Sequence, residues 1–399
     1  MASPAALCET AEHAAEQDDA SFLAEVRAFL DEALTPDLRQ ACRETLGVHS
    51  ETWASQLWLK RLGAKGWIAP TWPKAWGGTG WTARQRFLWD QECARNDAPI
   101  LFAGGIRSLG PLLIEMGTPR QQQRYIPAIL AADDLWAQGF SEPGAGSDLA
   151  AISTRAELRG DHYVVNGTKI WTTGAQHCNR MFAIVRTWDG GKRQEGLTFL
   201  LIDMDSPGLT VAPILDLNGV REFNQIFLDD VRVPAANRVG AENEGWAVAK
   251  RLMQLARSNN TPSGMVRRVL RRAAAAIAMA GPELEPSART RLAELEIELT
   301  NYEQLELTAM PNGKPRAGDQ IAPSMIKLVG TELHQRTAEL VVDVMGPYAC
   351  ASLEALGLAG EAVDLGARAI AKHFAVRAAT IYSGSSETQR NVIARQLLG

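Results

Sequence analysis

Ser141-Glu142-Pro143-Gly144-Ala145-Gly146-Ser147-Asp148, followed further along by Asn166-Gly167-Thr168-Lys169-Ile170-Trp171-Thr172-Thr173-Gly174-Ala175, decides how this chain is read. Gly144 and Gly146 have no Cβ, so backbone N–H groups can approach an anion closely. Ser141 and Ser147 add hydroxyl donors. Trp171 offers a large flat apolar face, and Thr173 stands one strand period away on the same side. Donors beside an aromatic wall suit a ligand that joins an anionic pyrophosphate to a flat ring. Gly-Ala-Gly-Ser alone is more often a surface turn, and a lone strand Trp is more often core. The information lies in the ordered combination. No strand, Gly-x-Gly-x-x-Gly and helix follow one another, so a Rossmann nucleotide domain is not indicated.

In this order the two segments resemble the flavin-cradling segments of the acyl-CoA dehydrogenase family. The similarity runs from about Ser21 to the C-terminus. Its last strong segment is Ile381-Tyr382-Ser383-Gly384-Ser385-Ser386-Glu387-Thr388-Gln389-Arg390. The resemblance implies FAD as cofactor, cradled by Phe140, Ser141, Gly146, Ser147, Trp171 and Thr173. Ser141 and Thr173 would hydrogen-bond the ring, and Trp171 would wall it. Ser147 would lie near the pyrophosphate or the pantetheine arm. Ser385 and Glu387 match positions that meet the FAD of a neighbouring subunit. Met253 matches the acyl channel, and Arg257 a position near the CoA groove.

The chain departs from the family where the chemistry is done. Many members read Tyr-Glu-Gly-Thr where this chain has Tyr382-Ser383-Gly384-Ser385, and that glutamate removes the α-proton of the acyl-CoA thioester. Other branches place the base on a helix just before an Arg, where this chain has Ala256. Both positions lack a carboxylate. Ser383 keeps a backbone N–H to donate to the thioester carbonyl, but its hydroxyl cannot replace a positioned base, worth roughly 10²–10⁴-fold. The turn 281–287 lacks the Arg-x-x-Phe-Gly pattern of many relatives, and Asp343 with Gly346-Pro347 replaces a Gln and a Gly-Gly.

The 399 residues are 46% hydrophobic and 22% charged, with net charge −5. That fits a globular chain with sizeable cores and disfavours a general nucleic-acid binder. No apolar run approaches the ~18–20 residues of a membrane span. Five dispersed cysteines without Cys-x-x-Cys suggest reduced thiols in a cytosol and no metal site.

Apolar spacing predicts an α+β chain in four parts: a flexible lead-in over 1–20, an N-terminal helical domain over 21–134, an antiparallel β domain over 135–240, and a C-terminal four-helix bundle over 241–399. Thr118-Pro119 reads as an N-cap with Pro in the first turn. The pairs Arg267-Arg268 and Arg271-Arg272 read as a solvated or partner-facing side of an Ala-rich helix, a salt-bridged face in preference to a phosphate-binding patch.

The residues together point to an FAD-dependent acyl-CoA dehydrogenase, or a subunit of one. It would form a trans-2-enoyl-CoA and pass electrons to electron-transfer flavoprotein. The form of the C-terminal half resembles a bacterial branch acting on bulky acyl-CoAs, some members of which are heteromers of two dissimilar chains. A homo-oligomer or a heterotetramer are the expected assemblies. A non-catalytic partner subunit and a flavin monooxygenase or oxidase on the same fold are the alternatives.

Overall fold

A computed structural model describes residues 4–256, 261–280, 286–309, 321–350 and 361–398. Among the described residues six α-helices come first: α1 (Pro4–Ala33), α2 (Pro36–Arg43), α3 (Thr52–Lys65), α4 (Ala83–Arg95), α5 (Gly110–Met116) and α6 (Pro119–Leu130). The segment read as a lead-in is the first half of α1. At α6 the Thr118 side chain accepts from the Gln121 N–H while the Gln121 side chain accepts from the Thr118 N–H, with Pro119 at the first helical position. This reciprocal cap satisfies two otherwise orphaned donors. The Pro/Gly-rich loop between α3 and α4 is anchored by its tryptophans. Trp67 packs edge-on against Trp89, and Phe29 stacks on Trp58, with ring centroids 5.4 and 5.7 Å apart.

The middle of the chain forms one sheet from β1 (Trp136–Gly139), β2 (Arg155–Arg159), β3 (His162–Lys169), β4 (Arg180–Arg186), β5 (Leu197–Asp203), β6 (Leu209–Ile214), β7 (Phe223–Pro234) and β8 (Arg238–Val239). The strand order is β6-β7-β3-β2-β4-β5-β8, with β1 beside β4. The sheet is mixed, which corrects the expectation of an antiparallel domain: β4 pairs in parallel with β1 and, at Arg155 and Arg186, with β2. A parallel pair needs a long crossover, and the chain between Gly139 and Arg180 supplies one by running out through β2 and β3. The four residues of β1 are too few for their periodicity to be read.

The chain then returns to helices: α7 (Gly245–Ala256), α8 (Ser263–Ala280), α9 (Pro286–Ala309), α10 (Ala322–Met345), α11 (Glu361–Arg377) and α12 (Ser386–Leu398). Buried apolar side chains of α8, α9, α10 and α11 form the bundle core. Among the described residues no helix is long and apolar enough to cross a membrane.

The α8 arginines are a second correction. Arg267 does pair with Glu303 on α9, at 2.9 Å. Arg268, Arg271 and Arg272 instead turn onto the chain's own N-terminal helices. Arg271 donates to the carbonyls of Ala94 and Arg95, and Arg272 to that of Arg43. Arg268 reaches the Ala98 carbonyl and the Cys42 sulfur. The last carbonyls of a helix lack intrahelical donors and carry the negative end of its dipole, so the C-terminal ends of α2 and α4 attract cations from the bundle.

At the other junction, α7 begins directly against β5. A Cβ placed on Gly245 would lie 2.6 Å from the Thr198 carbonyl carbon and 2.8 Å from the Leu197 oxygen. Because the obstacle is backbone, Gly245→Ala is expected to cost about 1–3 kcal/mol, measurable as a lowered urea midpoint at unchanged m-value.

Candidate active site

The two motifs meet through a buried ion pair. Lys169, at the end of β3, is fully enclosed. Its Nζ donates to Glu142 Oε1 at 2.7 Å and to the carbonyls of Ile184 and Phe140 at 2.6 and 3.3 Å. Glu142 also accepts from the Ser153 N–H, the Ser153 hydroxyl and the Thr154 N–H at 2.6–3.0 Å. Burial pushes the Lys169 ammonium down to about 8, with Glu142 opposing the shift. Burial pushes the Glu142 carboxyl up, but Lys169 and the three donors outweigh it and hold the carboxyl below its usual range. Both partners are therefore charged at neutral pH. Beside the pair, the Ile170 N–H donates to the Ser141 carbonyl at 2.9 Å, which binds one motif to the other.

Trp171 follows with φ of 60°, a conformation costing a bulky residue roughly 1–2 kcal/mol. Hydrogen bonds on both flanks impose it: Ile170 on Ser141, and the Thr172 N–H on the Asn224 carbonyl at 3.0 Å. The turn throws the Trp171 ring outward, 57% exposed, with Phe223 edge-on to it. Added Cβ atoms at Gly144 and Gly146 would meet nothing within 4 Å. The hydroxyls of Ser141, Ser147 and Thr173 have no hydrogen-bond partner among the described residues. An uncovered aromatic face, open space beside two glycines and three unused hydroxyls fit FAD. The Phe140 ring lies in the core against Phe182 and Phe199, leaving its backbone to face the motif.

The C-terminal segment comes near the second motif at Tyr382, which feels the charge of Glu222, whose carbonyl accepts from the Gly174 N–H at 2.8 Å. Ser383 has φ of 55°, and its N–H has no backbone acceptor among the described residues. Its carbonyl and that of Gly384 accept from Gln389 Nε2 at 3.3 and 3.2 Å, which holds the turn. Burial pushes the Tyr382 phenol up to about 12; Glu222 adds to the shift and Arg107 opposes it. Glu222 accepts from the Val48 and His49 N–H groups at 2.8 and 3.1 Å and pairs with His49 Nδ1 at 2.8 Å. Asp90 on α4 is solvent-accessible, yet enclosing protein pushes its carboxyl up to about 6, against the pull of Arg107 and Arg86.

Ser385 and Glu387 sit at the start of α12. The Ser385 hydroxyl accepts from the Thr388 N–H at 3.3 Å, and Glu387 is exposed in the first turn. Ser385 thus caps the helix, and Glu387 stands exposed beside it. Met253 is half-buried on α7, and Ala256 ends that helix. Asp343 pairs with Arg291 on α9 at 2.7 Å. Arg257 and most of the turn 281–287 lie outside the described residues. Sequence reading passed over Glu142, Lys169, Glu222, Asp90 and Arg107. The first two stood in the quoted motifs, and an acid and a lysine among small residues were the available signal.

Helices, a mixed sheet and a bundle, with an exposed aromatic face, two unobstructed glycines and three unused hydroxyls on the sheet loops, fit a flavin-dependent oxidoreductase architecture. The chain belongs to the acyl-CoA dehydrogenase family: the models of its N-terminal, middle and C-terminal domains match residues 16–133, 137–231 and 243–398. It is 35% identical to the acyl-CoA dehydrogenase IpdE1 of Mycobacterium tuberculosis, over 96% of this chain and 98% of that one. Among solved structures, the Tcur3481-Tcur3483 steroid ACAD matches with a TM-score of 0.81 and 25% identity, covering 96% of this chain and 97% of that one. The ChsE4-ChsE5 complex from Mycobacterium tuberculosis matches at 0.80 and 27%, with the same coverage.

Removing one partner of a buried pair strands the other charge, so Lys169→Met is expected to cost about 3–5 kcal/mol in urea unfolding and to lower the flavin content. The pH dependence follows from Glu142. Its folded carboxyl is held below the ordinary 4.5, so its contribution is complete above that pH and is lost as pH falls through the lower folded value. Glu142→Gln should remove that part of the acid-side loss of stability, read from Tm against pH.

Proposed function

We propose that this chain is one subunit of a heteromeric, FAD-dependent acyl-CoA dehydrogenase, and that the carboxylate removing the α-proton resides on a companion chain. The observation that carries this is a contrast within one chain. The wall that would hold a flavin is built and braced, while Ser383 and Ala256 occupy the two places where the family keeps its base. Two of the solved structures it matches bear the names of paired chains.

When bound, FAD supplies the acceptor for a hydride leaving the β-carbon of the acyl group. In this reading Trp171 walls one side of the flavin ring, and the Ser141 and Thr173 hydroxyls orient it. Gly146 and Ser147 offer donors to the pyrophosphate or pantetheine. The unengaged Ser383 N–H donates to the thioester carbonyl, where negative charge develops as the α-proton leaves. Met253 and Arg257 border the acyl and CoA grooves. Ser385 and Glu387 face the cofactor of the neighbouring subunit. Bulky, ring-bearing acyl-CoAs of the steroid-derived kind are the substrate class, by likeness to the steroid enzyme. Electron-transfer flavoprotein is the external acceptor.

The test is an anaerobic visible spectrum of the chain alone and of the chain co-expressed with a family member bearing a glutamate at either base position. The expected result is no bleaching by any acyl-CoA for the chain alone, and bleaching by a ring-bearing acyl-CoA for the assembly. Bleaching of the chain alone, or an inert assembly, contradicts the proposal.

A further inference from the structure

We propose that Glu222 is a positioning residue for the flavin: through Gly174 it fixes where the Thr173 hydroxyl stands, which rests on the reading above that this hydroxyl orients the ring. Thr173 is held from both sides by one short stretch of chain. Before it, the Thr172 N–H donates to the Asn224 carbonyl at 3.0 Å, and Asn224 Nδ2 donates back to the Thr172 carbonyl at 3.0 Å. After it, the Gly174 N–H donates to the Glu222 carbonyl at 2.8 Å, and Gln176 Nε2 to the Arg221 carbonyl at 2.6 Å. The place of Thr173 is therefore set by where residues 222 and 224 stand.

Those two residues are fixed by different means. Asn224 lies in β7 and is held by its pairing with Pro213 of β6. Glu222 precedes the strand and needs another anchor, which its carboxylate finds in the N-terminal domain. Oε2 accepts from the Val48 N–H, and Oε1 from the His49 N–H and ring. Burial pushes the carboxyl up, but His49 and the two backbone donors outweigh it and hold it below its usual range. Glu222 is thus an anion at neutral pH, and its bonds are of the stronger, charge-assisted kind.

The anchor is itself tied down. Lys372 of α11 donates to the Gly47 carbonyl at 2.8 Å. The His49 ring lies edge-on to Phe102 with centroids 5.6 Å apart, and a Cβ on Gly174 would lie 3.2 Å from that same Phe102 ring. One residue therefore serves two regions: its carbonyl holds the flavin-facing loop, and its carboxylate holds the segment at 47–49. Glu222 acts on the flavin through Gly174 and Thr173.

The test is a double-mutant cycle between Glu222→Gln and Thr173→Val. It is read from the FAD dissociation constant and the visible band of the bound flavin, in the assembled protein stripped of FAD and reconstituted. Thr173→Val is expected to weaken FAD about fivefold, the worth of one neutral hydrogen bond, and to shift the band. Glu222→Gln should do nearly the same, because an amide cannot accept from all three donors, and the double variant should be no worse than either single one. Gly47→Ala places a Cβ 2.5 Å from Oε2. It should displace the carboxylate with Glu222 unchanged, give a smaller shift of the same sign, and have no effect once Thr173 is Val. Additive losses, or an unmoved flavin band in both Glu222→Gln and Gly47→Ala, overturn the proposal alone. An unaltered protein that binds no FAD overturns the flavin reading and this proposal with it. No acyl-CoA enters the measurement, so the location of the base does not bear on the outcome.

Discussion

The buried contact between Lys169 and Glu142 is the constraint on which the site depends. A lysine with no exposed surface is tolerable only if its donors are used, and all three are, on one carboxylate and two carbonyls. Those acceptors come from the first motif and from β4. The second motif is thereby locked to the first at the point where the chain leaves β3. The next residues inherit a fixed position, and Trp171 is forced into a conformation that presents its ring outward. A buried pair of this kind is weak as a source of net stability. Its value here is specific geometry, since only one arrangement of the two loops satisfies every polar group.

A second set of long-range polar contacts fixes the domains to one another. Arginines of α8 hold the ends of α2 and α4, Lys372 of α11 holds the loop at Gly47, and Glu222 holds the backbone at Val48 and His49. These links tie elements from all three parts of the chain together.

Much of this was legible in the sequence, for identifiable reasons. Long helices such as α4, α9 and α10 carry enough periods to be read, and Thr118-Pro119 announces α6 by the chemistry of its cap. The motif residues Ser141, Trp171 and Thr173 could be singled out as candidates because their order is specific. The four-residue β1 and the eight-residue α2 are too short to show a period, and the parallel pairing of β1 with β4 depends on strands that intervene. The direction of Arg268, Arg271 and Arg272 was misread because their acceptors lie 170 residues or more away. A helix face rich in arginine looks solvated until its docking surface is known. The pairing of Lys169 with Glu142, 27 positions apart, is likewise a property of the folded sheet.

The proposed function gives this chain the groups that hold a flavin and a thioester carbonyl and leaves the proton to a carboxylate of a companion chain. Proton abstraction can be measured apart from hydride transfer, by solvent-deuterium exchange at the α-carbon of a ring-bearing acyl-CoA incubated with this chain alone. The account predicts no incorporation above the protein-free control. Exchange catalysed by the chain alone would contradict it, and loss of that exchange in Asp90→Asn would identify the carboxylate responsible.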